Sequence, residues 1–299
     1  MERDCSLRVG FMGFGEAGFH FAKGLSRNGL AGLVAYSRSG AKAAAGEPIR
    51  ERAAEAGVEL VKSPRELCRR ADVILAVTPG RNALSALRAA RRYLRPDQIY
   101  ADLSAASVSA MEKAPGLLDD GAAFVDAAIM GPVPVEGMKV LLLASGARAE
   151  RFRELLAPYG MNIQVVEGGA GAASAMKLLR AVFMKGITAL LLESLEAAQR
   201  RGIRDAVEAE IVRWMDSMPF AQVVKRFVGS TAVHAARRAH EMKDTMELLH
   251  ALGSSTRMTR ATKAWFLEVA RTGLPEKLDG RVPDSIAPVI DAVIAARKS

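Results

Sequence analysis

The chain has 299 residues, 50% hydrophobic and 25% charged, which suits two ordinary globular domains or one large one. Its formal charge of +9 comes without a long Lys/Arg run or interleaved basic and aromatic residues, so nucleic acid is not an expected partner, and the apolar runs are too short for a bilayer-spanning helix. Two distant cysteines, Cys5 and Cys68, exclude a disulfide framework and a zinc site; with no signal-peptide pattern, the expected compartment is the reducing cytoplasm.

Leu7 to Met12 reads as a buried strand and Ala17 to Arg27 as the helix after it. Further strands are expected at Leu30–Tyr36, Val58–Val61, Val73–Val77, Ile99–Leu103 and Ala123–Ala127, with two more at the sheet edge, Val140–Ala144 and Asn162–Val166. Strands separated by helical stretches imply crossover units, and unbroken apolar runs imply strands covered on both faces. The expected fold is therefore α/β: a Rossmann-type, doubly wound parallel sheet followed by an all-α domain. After Gly171 the pattern is helical only. Ala172 to Arg201 holds no proline and predicts one helix of about 45 Å. Others are expected over 206–215, 230–251, 255–271 and 286–296, and the domains are expected to be 1–168 and 169–299.

Gly13-Phe14-Gly15-Glu16-Ala17-Gly18 is a GxGxxG segment that follows the first strand and opens the first helix. Gly13 permits the tight turn, Gly15 lets backbone approach a pyrophosphate, and Gly18 lets the helix pack on the sheet, so a dinucleotide is the expected ligand. Where an NAD site usually carries an acid at the end of the second strand, this chain has Ser37 and Arg38, with Lys42 a turn further on. A hydroxyl and two cations suit a 2′-phosphate, so NADP(H) is expected in preference to NAD(H).

Several segments resemble the β-hydroxyacid dehydrogenases, the short relatives of 6-phosphogluconate dehydrogenase. They are RVGFMGFGEAGFHFAKGL from Arg8, ADVILAVTP from Ala71 to Pro79, Asp102-Leu103-Ser104, Phe124 to Gly131, GAGAASAMK from Gly169 to Lys177, and Lys243-Asp244. The resemblance implies cofactor contacts at Thr78, Pro79 and Lys243, substrate contacts at Ser104, Ala105, Met130, Gly131 and Ala181, and a catalytic Lys177. Ala105 stands where the family has Thr, Val108 where it has Pro, Met130 where it has Ser, Pro132 where it has Gly, and Ala181 where it has Asn. These positions hold the family's small hydroxy acids, so the resemblance does not name the substrate. LLRAVFMKG and HAARRAHEMKD resemble a less characterised branch of phosphogluconate-dehydrogenase-like proteins.

The expected chemistry is hydride transfer between NADP(H) and a small hydroxy acid or its keto or semialdehyde form, with Lys177 as general acid and base. A lysine base needs its ordinary value of about 10.4 lowered, by desolvation or by a nearby cation such as Lys185 or Lys243. Ala181 and Met184 share a helix face with Lys177. Ser104 and Ser107 follow the fifth strand at its ligand end, where either suits a substrate or a helix cap. His234, Arg237 and His240 are spaced to meet an acidic substrate or simply to face water. An imine or pyrroline-type reductase on the same scaffold, or a dinucleotide-binding protein without turnover, are the alternatives. A small acidic or polar substrate and a second copy of the chain, giving a homodimer through the apolar helix from Ala172, are the expected partners.

Overall fold

The structure is a computed structural model that describes residues 7–40, 44, 47–104, 106–118 and 122–298. The chain divides into two compact units, one ending at Ala181 and the other beginning at Val182.

The first unit alternates strand and helix: β1 (Val9–Met12), α1 (Glu16–Arg27), β2 (Leu33–Tyr36), α2 (Pro48–Glu55), β3 (Val58–Leu60), α3 (Pro64–Arg70), β4 (Val73–Ala76), α4 (Ala83–Ala90), β5 (Ile99–Asp102), α5 (Val108–Lys113), β6 (Ala123–Ile129), α6 (Val133–Glu136), β7 (Leu142–Ser145), α7 (Ala149–Leu156) and β8 (Ile163–Val165). The strands form one sheet in the order β3-β2-β1-β4-β5-β6-β7-β8. All neighbours are parallel except β6 and β7, where Asp126 lies opposite Ser145. The order reverses between β1 and β4, which leaves a crevice beyond their carboxyl ends.

Both faces of the sheet are covered. Val73 and Leu75 of β4 point into one apolar cluster with Phe11, Phe21 and Ile99. Ile74 and Ala76 point into the other, with Leu67, Leu87 and Tyr100. This is why the strands read as unbroken apolar runs, and each fully buried side chain such as Phe11 or Leu75 contributes about 1.5–3 kcal/mol by leaving water. Strand ends differ from expectation by one to three residues, β1 beginning at Val9 rather than Leu7 and β7 at Leu142 rather than Val140 among them. β2 begins at Leu33 rather than Leu30, because Gly32 takes a left-handed φ of +69° that breaks the extended run. β6 continues two residues past Ala127, to Ile129, paired throughout its end with β7.

The long helix α8 (Ala172–Arg201) follows, then α9 (Arg204–Met215), α10 (Phe220–Ala251), α11 (Arg257–Ala270), α12 (Leu274–Lys277) and α13 (Ala287–Ala296). Within the second unit, Ala232 and Ala235 of α10 pack with Val269 of α11, Leu274 and Val289. α10 starts at Phe220 rather than Ser230, with Pro219 at its cap. No helix among the described residues is long and apolar enough to cross a membrane.

Candidate active site

The chain leaves β1 through Gly13, whose φ of +95° is open to glycine and strained for other residues. A Cβ there would stand 2.6 Å from the Val77 carbonyl oxygen. The Gly13 amide donates to the Tyr36 carbonyl at 2.8 Å, which ties the turn to the end of β2. Gly15 caps α1 without any side-chain hydrogen bond, and a Cβ on it would meet nothing within 4 Å. Backbone and the positive end of α1 therefore face open space, with Gly18 buried where helix and turn meet.

That space is a cleft of about 780 Å³, within the usual range of small-molecule sites. Gly13, Phe14, Gly15, Ser37, Arg38, Thr78 and Pro79 line it. The Ser37 and Ser39 hydroxyls are 2.9 Å apart, and Arg38 is exposed with no acidic partner among the described residues. Arg52 of α2 also lines the cleft, a cation that a solvated helix pattern conceals. Lys42 lies outside the described residues.

A second cavity, of about 540 Å³, shares Gly15, Thr78 and Pro79 with the first. Its wall also contains Glu16, Ala17, Ser104, Met130, Gly131, Lys177 and Arg180. The structure thus gathers the expected substrate residues Ser104, Met130 and Gly131 and the expected catalytic Lys177 beside the glycine turn. Ala181 is half-buried and does not line this cavity, and Ala105 lies outside the described residues.

Two buried carboxylates organise the wall. Asp126 on β6 accepts the Gly171 and Ser174 amides at 3.0 and 2.9 Å and the Ser174 hydroxyl at 2.7 Å. Ser145 accepts the Ala173 amide at 3.0 Å. These bonds fasten the first turn of α8 to the sheet and so place half-buried Lys177 one turn later. Asp102 accepts the Ser104 amide at 2.8 Å, while its other oxygen is buried without a partner. Burial, helped by the Asp126 carboxylate beside it, pushes the Asp102 carboxyl up to about 6 against the opposing bonds from the Ser104 side chain and amide. Ser107, rather than Ser104, caps α5, accepting the Ala110 amide at 3.3 Å. The Ser104 hydroxyl oxygen is buried beside Asp102, and the Thr78 hydroxyl oxygen is left buried with no hydrogen-bond partner among the described residues. Asp126 lies within the segment Phe124 to Gly131 that carries the resemblance, as an acid inside the apolar run AAFVDAAI, while Arg180 carries no such signal.

Lys243 belongs to the second unit, on α10, with its Nζ 3.9 Å from Glu247. Lys185, His234, Arg237 and His240 lie in that unit too, and Arg237 pairs with Glu241 at 2.7 Å. No cluster of His, Cys, Asp or Glu among the described residues is placed to hold a metal.

A doubly wound sheet, a glycine turn at its switch point and a helix N-terminus facing an open cleft define a dinucleotide-binding protein of the dehydrogenase type. The profile for the NAD binding domain of 6-phosphogluconate dehydrogenase matches residues 8–168, and the chain belongs to this family of oxidoreductases. A domain of unknown function, DUF1932, matches residues 198–269. A conserved hypothetical protein from Sinorhizobium meliloti is 30% identical, with 99% of this chain and 98% of that one covered and a TM-score of 0.63. The conserved protein MTH1747, of unknown function and described as structurally similar to 3-hydroxyacid dehydrogenases, is 33% identical over 92% of this chain and 100% of its own, with a TM-score of 0.60. An imine reductase variant from Myxococcus stipitatus in complex with NAD+ shares the fold at 18% identity, covering 96% and 99% of the two chains with a TM-score of 0.74. The open backbone at Gly15, the uncapped start of α1 and the unpartnered Thr78 hydroxyl fit a nicotinamide dinucleotide.

Proposed function

We propose that the protein is an oxidoreductase that moves hydride between NADP(H) and a small hydroxy acid or its keto or semialdehyde form. One observation carries the reading: Lys177 and Ser104 share a single cavity with the glycine turn and with Thr78 and Pro79. The coenzyme supplies the hydride or accepts it. The amides from Gly13 to Gly18 and the start of α1 hold its pyrophosphate, and Ser37 and Arg38 hold its 2′-phosphate. Lys177 takes the hydroxyl proton in oxidation and returns one to the carbonyl oxygen in reduction. Ser104, which lines the cavity with Lys177, bonds the substrate oxygen. Residues 1–168 serve as the coenzyme domain and 169–299 as the helical domain for substrate and dimer contacts.

Screening hydroxy acids, keto acids and imines by absorbance at 340 nm, with both coenzymes, tests the reaction class. Turnover of imines alone moves the protein to the reductase alternative. Lys177→Ala is expected to lower turnover by roughly 10²–10⁴-fold, the usual contribution of acid–base catalysis, with NADPH affinity unchanged within about twofold. A variant that keeps most of its activity shifts the proton-transfer role to another residue.

A further inference from the structure

Arg180 lies three residues beyond Lys177 on α8 and lines the same cavity. That spacing puts both side chains on one helix face, with their Cα atoms separated by about 4.5 Å along the axis. Glu16, Lys177 and Arg180 are the charged residues on this wall, so its balance is cationic.

Some arginines of the first unit are matched to carboxylates: Arg70 to Glu59 at 2.6 Å, Arg8 and Arg95 to Asp72 at 2.5 and 3.3 Å, and Arg153 to Glu150 at 2.7 Å. Arg180 has no acidic partner among the described residues. Its Nη2 donates instead to the main-chain carbonyl of Met130, at 2.6 Å. Met130 is itself part of the cavity wall. A neutral carbonyl therefore holds one edge of the guanidinium at the wall, and its remaining N–H donors are without protein acceptors among the described residues. A positive fork anchored in this way is prepared for a planar anion.

We infer that Arg180 binds the acidic group of the substrate, a carboxylate lying a few atoms from the carbon that exchanges hydride. Lys177 serves the reacting oxygen and Arg180, one turn along the same helix, selects short carboxylic acids over their uncharged analogues. The inference rests on the reading of Lys177 given above and adds the residue that sets the substrate class.

The test is calorimetric titration of the full-length protein, loaded with NADP+, with 3-hydroxypropionate and with 3-hydroxypropionamide. These probes match in size and differ in charge, and their four-carbon homologues extend the series. Wild type is expected to bind the acids at least about tenfold more tightly than the amides, as charge-assisted bonds imply. Arg180→Gln is expected to abolish that preference and Arg180→Lys to keep part of it, with NADP+ affinity within about twofold of wild type in both. A preference that survives Arg180→Gln, or a wild type that shows none, overturns the inference while leaving the coenzyme reading intact. A wild type that fails to bind NADP+ overturns both.

Discussion

Asp102 is a carboxylate in a place where an uncharged side chain would cost less. Burial holds its carboxyl at about 6, above the ordinary value near 4. Between about pH 4 and 6 the folded protein therefore keeps a proton that the unfolded chain has released. Stability falls as pH rises through this window, and above it the cost approaches about 3 kcal/mol. Asp102→Asn keeps an oxygen for the Ser104 amide and carries no charge. It is expected to raise stability at pH 7.5 by about 1–3 kcal/mol and to flatten the profile in urea melts from pH 4 to 8. No gain at pH 7.5 would show that the buried charge costs little.

The proposed coenzyme preference also rests on single side chains. An acid at position 37 accepts from a ribose hydroxyl and repels a phosphate, whereas the uncharged Ser37 can bond to either and repels neither. Ser37→Asp is expected to shift preference toward NADH. Arg38→Ala is expected to weaken NADPH roughly ten- to a hundredfold and NADH little, the range that charge-assisted bonds imply. Equal wild-type affinity for NADH and NADPH in direct titration would remove the argument. The glycine turn is legible in the sequence because a strand precedes it and a helix follows it, and Lys177 stands out only through the resemblance of GAGAASAMK. Arg180 is not legible, because an arginine on a helix reads as a solvated charge until the Met130 carbonyl is seen beside it.

Among the elements, α11 shows how a helix end is completed from a distance. Thr256 at its cap makes no side-chain capping bond. Glu193 of α8 instead accepts the Met258 and Thr259 amides at 2.9 and 2.8 Å, and the Ser255 and Thr259 hydroxyls at 3.1 and 2.8 Å. Burial opposes the charge, but the amide and hydroxyl donors outweigh it and hold the carboxyl below its ordinary value. Its contribution to stability is therefore complete above the unfolded value of about 4.3 and disappears as pH falls through the lower folded value. Glu193→Ala is expected to cost about 1–3 kcal/mol at pH 7 in chemical denaturation, and less as the pH drops toward 3. A constant difference across that range would mean that packing, not the carboxylate, was lost. This cap is invisible in the sequence because Glu193 and Met258 are distant in the chain. The strands are legible because both sheet faces are buried. The first third of α10 is obscured by Val223, Val224 and Gly229, which weaken the helical pattern that Pro219 introduces.

At the scale of the whole molecule, α8 exposes Leu179, Val182 and Leu192, at 72%, 73% and 68% of their surface. Apolar side chains left this open suit burial against a second copy of the chain. A homodimer is expected, and multi-angle light scattering at micromolar concentration is expected to give about twice the chain mass of 31.9 kDa. A stable single-chain mass would count against it.

The position of β1 matters before the protein is complete. It precedes the other described strands in the chain, yet it lies inside the sheet, and its pairing with β4 joins Val9 to Val73. Translation at roughly 5–20 residues per second leaves several seconds between the appearance of these two strands at the ribosome. During that interval Val9–Met12, fully apolar in a run that ends the fold buried on both faces, has at best one neighbour, β2. An open apolar edge is a template for pairing with other nascent chains. The central place of β1, which builds the coenzyme crevice, thus leaves its newborn chain with an open apolar edge until β4 has been made.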